Sequence, residues 1–157
     1  MPERPSFIVH AADLPEEESA YKAPYDAEKL SWSRNLGKPT GGVRLGYWYE
    51  RLPPGRRTSF THAHSAEEEA VWVVAGRCHV RLVVDGRTDE HEIGPGDFVC
   101  FPAGTGIAHT FVNHGTADCD LFVVGERRPD EDRVRYPEDT AYDEHLRTTR
   151  PERHWSP

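Results

Sequence analysis

Cysteine is scarce. Cys78, Cys100 and Cys119 are the whole complement of the 157 residues, and no two of them share the short spacing of a zinc finger. Three widely spaced thiols form no disulfide framework; they point to a reducing cytoplasm, with each cysteine a small buried hydrophobe. Basic residues are also short, 19 against 27 acidic, for a net charge of −8. Phosphate binding needs a basic face, so nucleic acid is not an expected partner. The pairs Arg56-Arg57 and Arg127-Arg128 are too short to reverse this. No apolar run reaches the roughly 18 residues of a membrane span. Met1-Pro2-Glu3-Arg4 lacks the apolar core of a secretory signal.

What is plentiful is turn-forming residues, thirteen glycines and thirteen prolines. They suit an all-β fold with many turns better than a helical bundle. The length fits one domain able to bury a core. Residues 1–42 carry little periodic signal and read as an N-terminal arm that packs over the barrel or a partner subunit. Asp13 to Tyr21 begins a helical turn that Pro24 cuts off, and Pro39 to Gly42 reads as a loop. Residues 43–126 form the structured unit, and residues 127–157 a polar tail packing on it.

Within 43–126 the pattern turns to period two. Val43, Leu45, Tyr47 and Tyr49 alternate with Arg44, Gly46, Trp48 and Glu50, which predicts a strand with one apolar face. Glu69 to Ala75 is apolar on both faces and needs a cover on each. One face is expected to look into a barrel and the other to meet the arm or a second subunit. Cys78 to Val84 and Arg87 to Ile93 flank Asp85-Gly86, the signature of a tight hairpin. Phe98 to Phe101, Ile107 to Asn113 and Cys119 to Gly125 follow. Short strands with turns every eight to twelve residues predict a sandwich or barrel, with Tyr47, Tyr49 and Phe111 in its core. An edge strand near Val134, with Tyr142 and Trp155, is expected to dock the tail.

The chemistry centres on His62-Ala63-His64-Ser65-Ala66-Glu67-Glu68-Glu69. Histidines two apart on an extended strand present both imidazoles to one face. A carboxylate follows within a few residues. His109, on a later strand, brings a third imidazole. Imidazole and carboxylate suit first-row divalent metals, and two histidines with one carboxylate already form the triad of non-haem iron oxygenases. The remaining histidines, His10, His79, His91, His114, His145 and His154, read as surface or hydrogen-bonded residues.

These residues resemble the two motifs of the cupin superfamily. The first runs glycine, five residues, His-x-His, three or four residues, Glu, six residues, Gly. Here His62 and His64 are followed by Glu69 and Gly76 at that spacing, which singles out Glu69 over Glu67 and Glu68. Six residues, instead of five, separate Gly55 from His62. The second motif runs Gly, five residues, Pro-x-Gly, two residues, His, three residues, Asn. Gly96, Pro102-Ala103-Gly104, His109 and Asn113 match it, with four residues in place of two before His109, where Thr105-Gly106 reads as a loop extension. His114 is the fallback.

The resemblance is to small bacterial single-domain cupins. It implies a double-stranded β-helix, a jelly-roll barrel, with an irregular N-terminal arm and C-terminal tail. It implies a divalent metal (iron, manganese, nickel, copper or zinc) on His62, His64, Glu69 and His109, a small-molecule substrate or ligand, and a homodimer. The expected activity is a metal-dependent reaction on a small organic molecule, oxygenase-type first and isomerase or lyase next. A non-catalytic module that binds or senses a small ligand is the alternative. No separate acid or base stands out.

Overall fold

The structure, a computed structural model, describes residues 3–156. In chain order the elements are β1 (Glu17–Glu18), β2 (Trp32–Asn35), α1 (Gly37–Thr40), β3 (Leu45–Leu52), β4 (Ala63–His64), β5 (Glu69–Ala75), β6 (Cys78–Val84) and β7 (Arg87–Ile93). β8 (Phe98–Phe101), β9 (Ala108–Val112), β10 (Cys119–Glu126), β11 (Val134–Arg135) and α2 (Thr140–Thr149) complete it. All ladders between them are antiparallel.

One sheet has the order β1-β2-β3-β10-β5-β8. Opposite it lie β7-β6-β9 and the short pair β11-β4, joined by a bridge between His62 and His109. Leu52, Val71, Val73, Cys78, Val80, Ile93, Phe101, Phe111, Cys119 and Leu121 fill the space between the sheets. Each large apolar side chain so buried stabilises the fold by about 1.5–3 kcal/mol. The all-β jelly-roll expectation therefore holds.

Local chemistry explains the turns. Asp85 and Gly86 adopt φ of 50° and 75°, as a two-residue hairpin with right-handed strand twist demands. Gly76 has φ +74°, and a Cβ there would lie 2.3 Å from the Asp118 carbonyl oxygen, so no side chain fits. Asn113 is fully buried. Its Nδ2 donates to the carbonyls of Leu52 and Ala117, both at 2.8 Å, tying the end of β9 to the end of β3.

Several expectations need correction. The arm is not irregular throughout, because β1 and β2 extend the six-stranded sheet, with Trp32 to Asn35 in register against Arg51 to Trp48. Pro39 lies in a helical turn, α1, and not in a loop. The arm does not cover the outer face of β5, where Trp72 and Val74 stay 50% and 42% exposed. In the tail, β11 pairs with β4, Tyr142 packs on Phe60, Trp155 packs against Ala63, Val83 and Ala108, and helix α2 follows β11. Cys78 and Cys119 are buried, but Cys100 is exposed. In β3 the inner face is the one carrying Glu50 and Leu52: Glu50 pairs with Leu121, which is fully buried. Tyr47 and Tyr49 lie on the opposite face, Tyr47 against Gly37 and Gly42. Only Phe111 of the three aromatic core candidates is in the barrel core.

Candidate metal centre

β4, β5 and β9 converge on one point. The antiparallel bridge between His62 and His109 sets their rings 4.9 Å apart, and those of His62 and His64 are also 4.9 Å apart. Glu69 starts β5 on the inner face. Its Oε2 lies 3.0 Å from His109 Nε2, 3.4 Å from His62 Nε2 and 3.6 Å from His64 Nε2. One donor atom each from His62, His64 and Glu69 lie within 4.8 Å of one another. All four sequence candidates thus meet at one carboxylate oxygen. The fallback, His114, sits elsewhere, paired with Glu90 at 2.7 Å.

The hydrogen bonds fix which nitrogen is free. His62 Nδ1 is 2.8 Å from the Phe60 carbonyl oxygen. A carbonyl only accepts, so Nδ1 carries the proton and the neutral ring turns the Nε2 lone pair toward Glu69. His64 Nδ1 donates in the same way to Asp132 Oδ2, at 2.7 Å. A carboxylate behind a ligating imidazole orients the ring and raises its basicity. His109 stacks on Phe101 with ring centres 3.5 Å apart, and its buried Nδ1 has no partner. Its Nε2 therefore donates to Glu69.

The titration directions follow. Burial would raise the Glu69 carboxyl, but the hydrogen bond from His109 and the close approach of the His62 ring outweigh it and hold Glu69 well below its ordinary value. Burial lowers His109. Burial would lower His64 too, yet the bond to Asp132 and the nearby charges of Glu69 and Glu67 raise it. The result is an ionised carboxylate facing the Nε2 lone pairs of His62 and His64 and the Nε2–H of His109, a proton that His109 would give up to a bound cation. This donor set fits a first-row divalent cation.

Two residues escaped the sequence reading. Asp132 is 2% exposed and, besides His64, accepts from the amides of Ala66 at 2.9 Å and Glu67 at 3.2 Å. It stands in a run of acidic residues that reads as solvated tail. Glu50 lines the barrel cavity of about 90 Å³ together with His62, Glu69 and His109. Its Oε2 accepts from the Ser31 hydroxyl at 2.9 Å. Burial, against the help of Ser31 and with the Glu69 charge, pushes Glu50 up to about 7. Leu52, two residues on, was the available signal, since it shares the face of Glu50.

The comparisons agree with this geometry. The family model "Cupin domain" matches residues 48–125. No curated protein matches. The structure of a sugar phosphate isomerase of the cupin superfamily from Silicibacter pomeroyi is 32% identical, covering 83% of this chain and 82% of that one, with a TM-score of 0.73. A candidate sugar phosphate isomerase from Acidithiobacillus ferrooxidans is 29% identical over 84% of this chain and 81% of that one, TM-score 0.73. The polyketide cyclase RemF from Streptomyces resistomycificus is 28% identical over 97% and 96%, TM-score 0.63. With both histidine-bearing strands, the spacing of Glu69 and Gly76, the two-sheet barrel and these relatives in agreement, the chain belongs to the cupin superfamily.

Proposed function

We propose that His62, His64, Glu69 and His109 hold one divalent cation and that the protein is an enzyme acting on a small organic molecule in the adjoining cavity. The observation that carries this reading is the approach of three imidazole Nε2 atoms to a single oxygen of Glu69, at 3.0, 3.4 and 3.6 Å. When bound, such a cation supplies Lewis acidity and open positions for a substrate oxygen or for dioxygen. The chain contributes the rest. Phe60 and Asp132 hold two rings in the metal-binding tautomer, and the apolar wall of Val71, Phe111 and Val123 limits water beside the ligands.

Two reaction classes suit this arrangement. Imidazole with carboxylate suits iron, which favours oxygenase-type chemistry. The cavity favours isomerase, lyase or cyclase chemistry, because it adds a carboxyl group, Glu50, beyond the four ligands. The names of the relatives from Silicibacter pomeroyi and Streptomyces resistomycificus support the second class. Elemental analysis tests the metal: one cation per chain in the wild type and background content in His62→Ala. Metal-free wild type sinks the reading. Oxygen uptake by the iron-loaded protein with candidate substrates separates the two classes, and a loaded protein that binds ligands but turns over none is a sensor.

The same reading places a second copy of the chain over the outer face of β5 and β8. Trp72, Val74 and the 61% exposed Phe98 support it, as an apolar face left open by the arm. Sedimentation should give a dimer for the wild type and a monomer for Trp72→Asp. Three free thiols support a cytoplasmic location. No helix of the described residues is long and apolar enough to cross a membrane.

A further inference from the structure

The cavity wall beside the candidate ligands has a polar side, Glu50, Thr58 and Ser59, and an apolar side, Val71, Phe111 and Val123. Among the described residues no lysine or arginine lines it. Its volume of about 90 Å³ is roughly three times the share of one liquid water. That suits a molecule of a few carbons. A phosphate group entering here would face Glu50 and Glu69 with no guanidinium or ammonium to pair it, and unpaired charge is costly to desolvate. Thr58 and Ser59 supply hydroxyls to an uncharged, hydroxylated guest.

Glu50 is placed to act on such a guest. It faces inward opposite Leu121, and the register of β3 on β10 fixes it there. Ser31 anchors Oε2, while Oε1 has no hydrogen-bond partner among the described residues. It makes no hydrogen bond to any of the four candidate ligands. A carboxyl held at one oxygen, beside a cavity, is the arrangement a proton-transfer group needs.

We infer that Glu50 is a catalytic residue that takes a proton from, and returns it to, carbon in a small uncharged hydroxycarbonyl compound seated in this cavity. The inference rests on the metal-centre reading above. In the forward step the Glu50 carboxylate takes the proton from the carbon beside the carbonyl. The C–H electron pair becomes the C=C bond of an enediolate as the C=O pair moves onto oxygen. Return of the proton restores Glu50, and nothing is oxidised or reduced.

The test uses cobalt(II)-loaded protein in D₂O with two probes, dihydroxyacetone and dihydroxyacetone phosphate. Cobalt content, the cobalt absorption spectrum and deuterium entering the C–H positions by NMR are read together. Dihydroxyacetone should perturb the spectrum and gain deuterium, and the phosphate ester at the same concentration should do neither. Glu50→Gln, which keeps the volume and the bond to Ser31, should hold cobalt and dihydroxyacetone as the wild type does. Its exchange should fall by about 100-fold or more, with part of it restored in Glu50→Asp. Wild-type exchange in Glu50→Gln, no exchange in the wild type, or a preference for the phosphate ester overturns the inference. Failure of the wild type to bind cobalt overturns the metal reading itself, whereas a loss confined to exchange in Glu50→Gln leaves that reading standing.

Discussion

The arm and the tail flank the same barrel, and each sends a polar side chain to the candidate site, but they send different chemistry. Ser31, in the arm beside β2, donates a neutral hydroxyl to Glu50 at 2.9 Å. Asp132, just before β11, presents a carboxylate to His64 at 2.7 Å. A hydroxyl is a weak modifier, and Glu50 stays high, at about 7, because burial outweighs it. A carboxylate is a strong one, and it lifts His64 against burial. The lesson is that the flanks divide the work: the tail orients the His64 imidazole, and the arm holds Glu50 by one oxygen only.

The sharpest test of that division is Asp132→Asn against Ser31→Ala. Asp132→Asn should weaken metal affinity by about 10–100-fold, read by competition with a chelator. Ser31→Ala should leave affinity at the wild-type value, and an equal loss in both variants breaks the contrast. Next in size is the anchoring of the tail. Tyr142 packs edge-on against Tyr21, Tyr25, Phe60 and Tyr136, with ring centres 4.8 to 5.4 Å apart. Tyr142→Ala should cost about 1–3 kcal/mol in denaturant unfolding and weaken metal affinity along with it, since Asp132 is held by the same segment.

Smaller still is the local effect of Ser31→Ala. The lost hydrogen bond is worth about 1 kcal/mol, and Ser31 favours the charged form of Glu50, so its loss should raise the Glu50 carboxyl further. The carboxylic C=O infrared band should then persist to higher pH than in the wild type. The smallest effect is acid release of the tail. Arg81, with burial opposing, holds Glu138 at about 2, below its ordinary 4.5. A lowered carboxyl stabilises the fold above its ordinary value and loses that contribution as pH falls through the folded value. Far-ultraviolet circular dichroism should therefore show α2 weakening between pH about 4.5 and about 2 in the wild type, and no such step in Glu138→Gln.

How much of this was legible beforehand depends on which signal a residue carries. Strands β5 to β10 were readable because short apolar or alternating runs are bounded there by turn residues, with β7 given by the Asp85-Gly86 hairpin, and Glu69 was singled out by its spacing from His64 and Gly76. Glu50 was not found, since tyrosine and tryptophan occupy opposite faces of β3 and both are amphipathic, so alternation alone does not say which face turns inward. Strands β1 and β2 are too short to show a period. Asp132 carried no local signal at all: its meaning comes from β11 pairing with β4, Val134 opposite His64, seventy positions apart in the chain. Helix α2 is largely polar and has no buried residue to give it a stripe.

That pairing has a consequence for the order of assembly on the ribosome. The segment from β3 to β10 emerges before β11 and already carries His62, His64, Glu69 and His109. A nascent chain halted at residue 126 would still lack the group that turns the ring of His64. The fixing of the His64 ring is therefore a late event in the life of each polypeptide, waiting on the segment that carries Asp132 and β11.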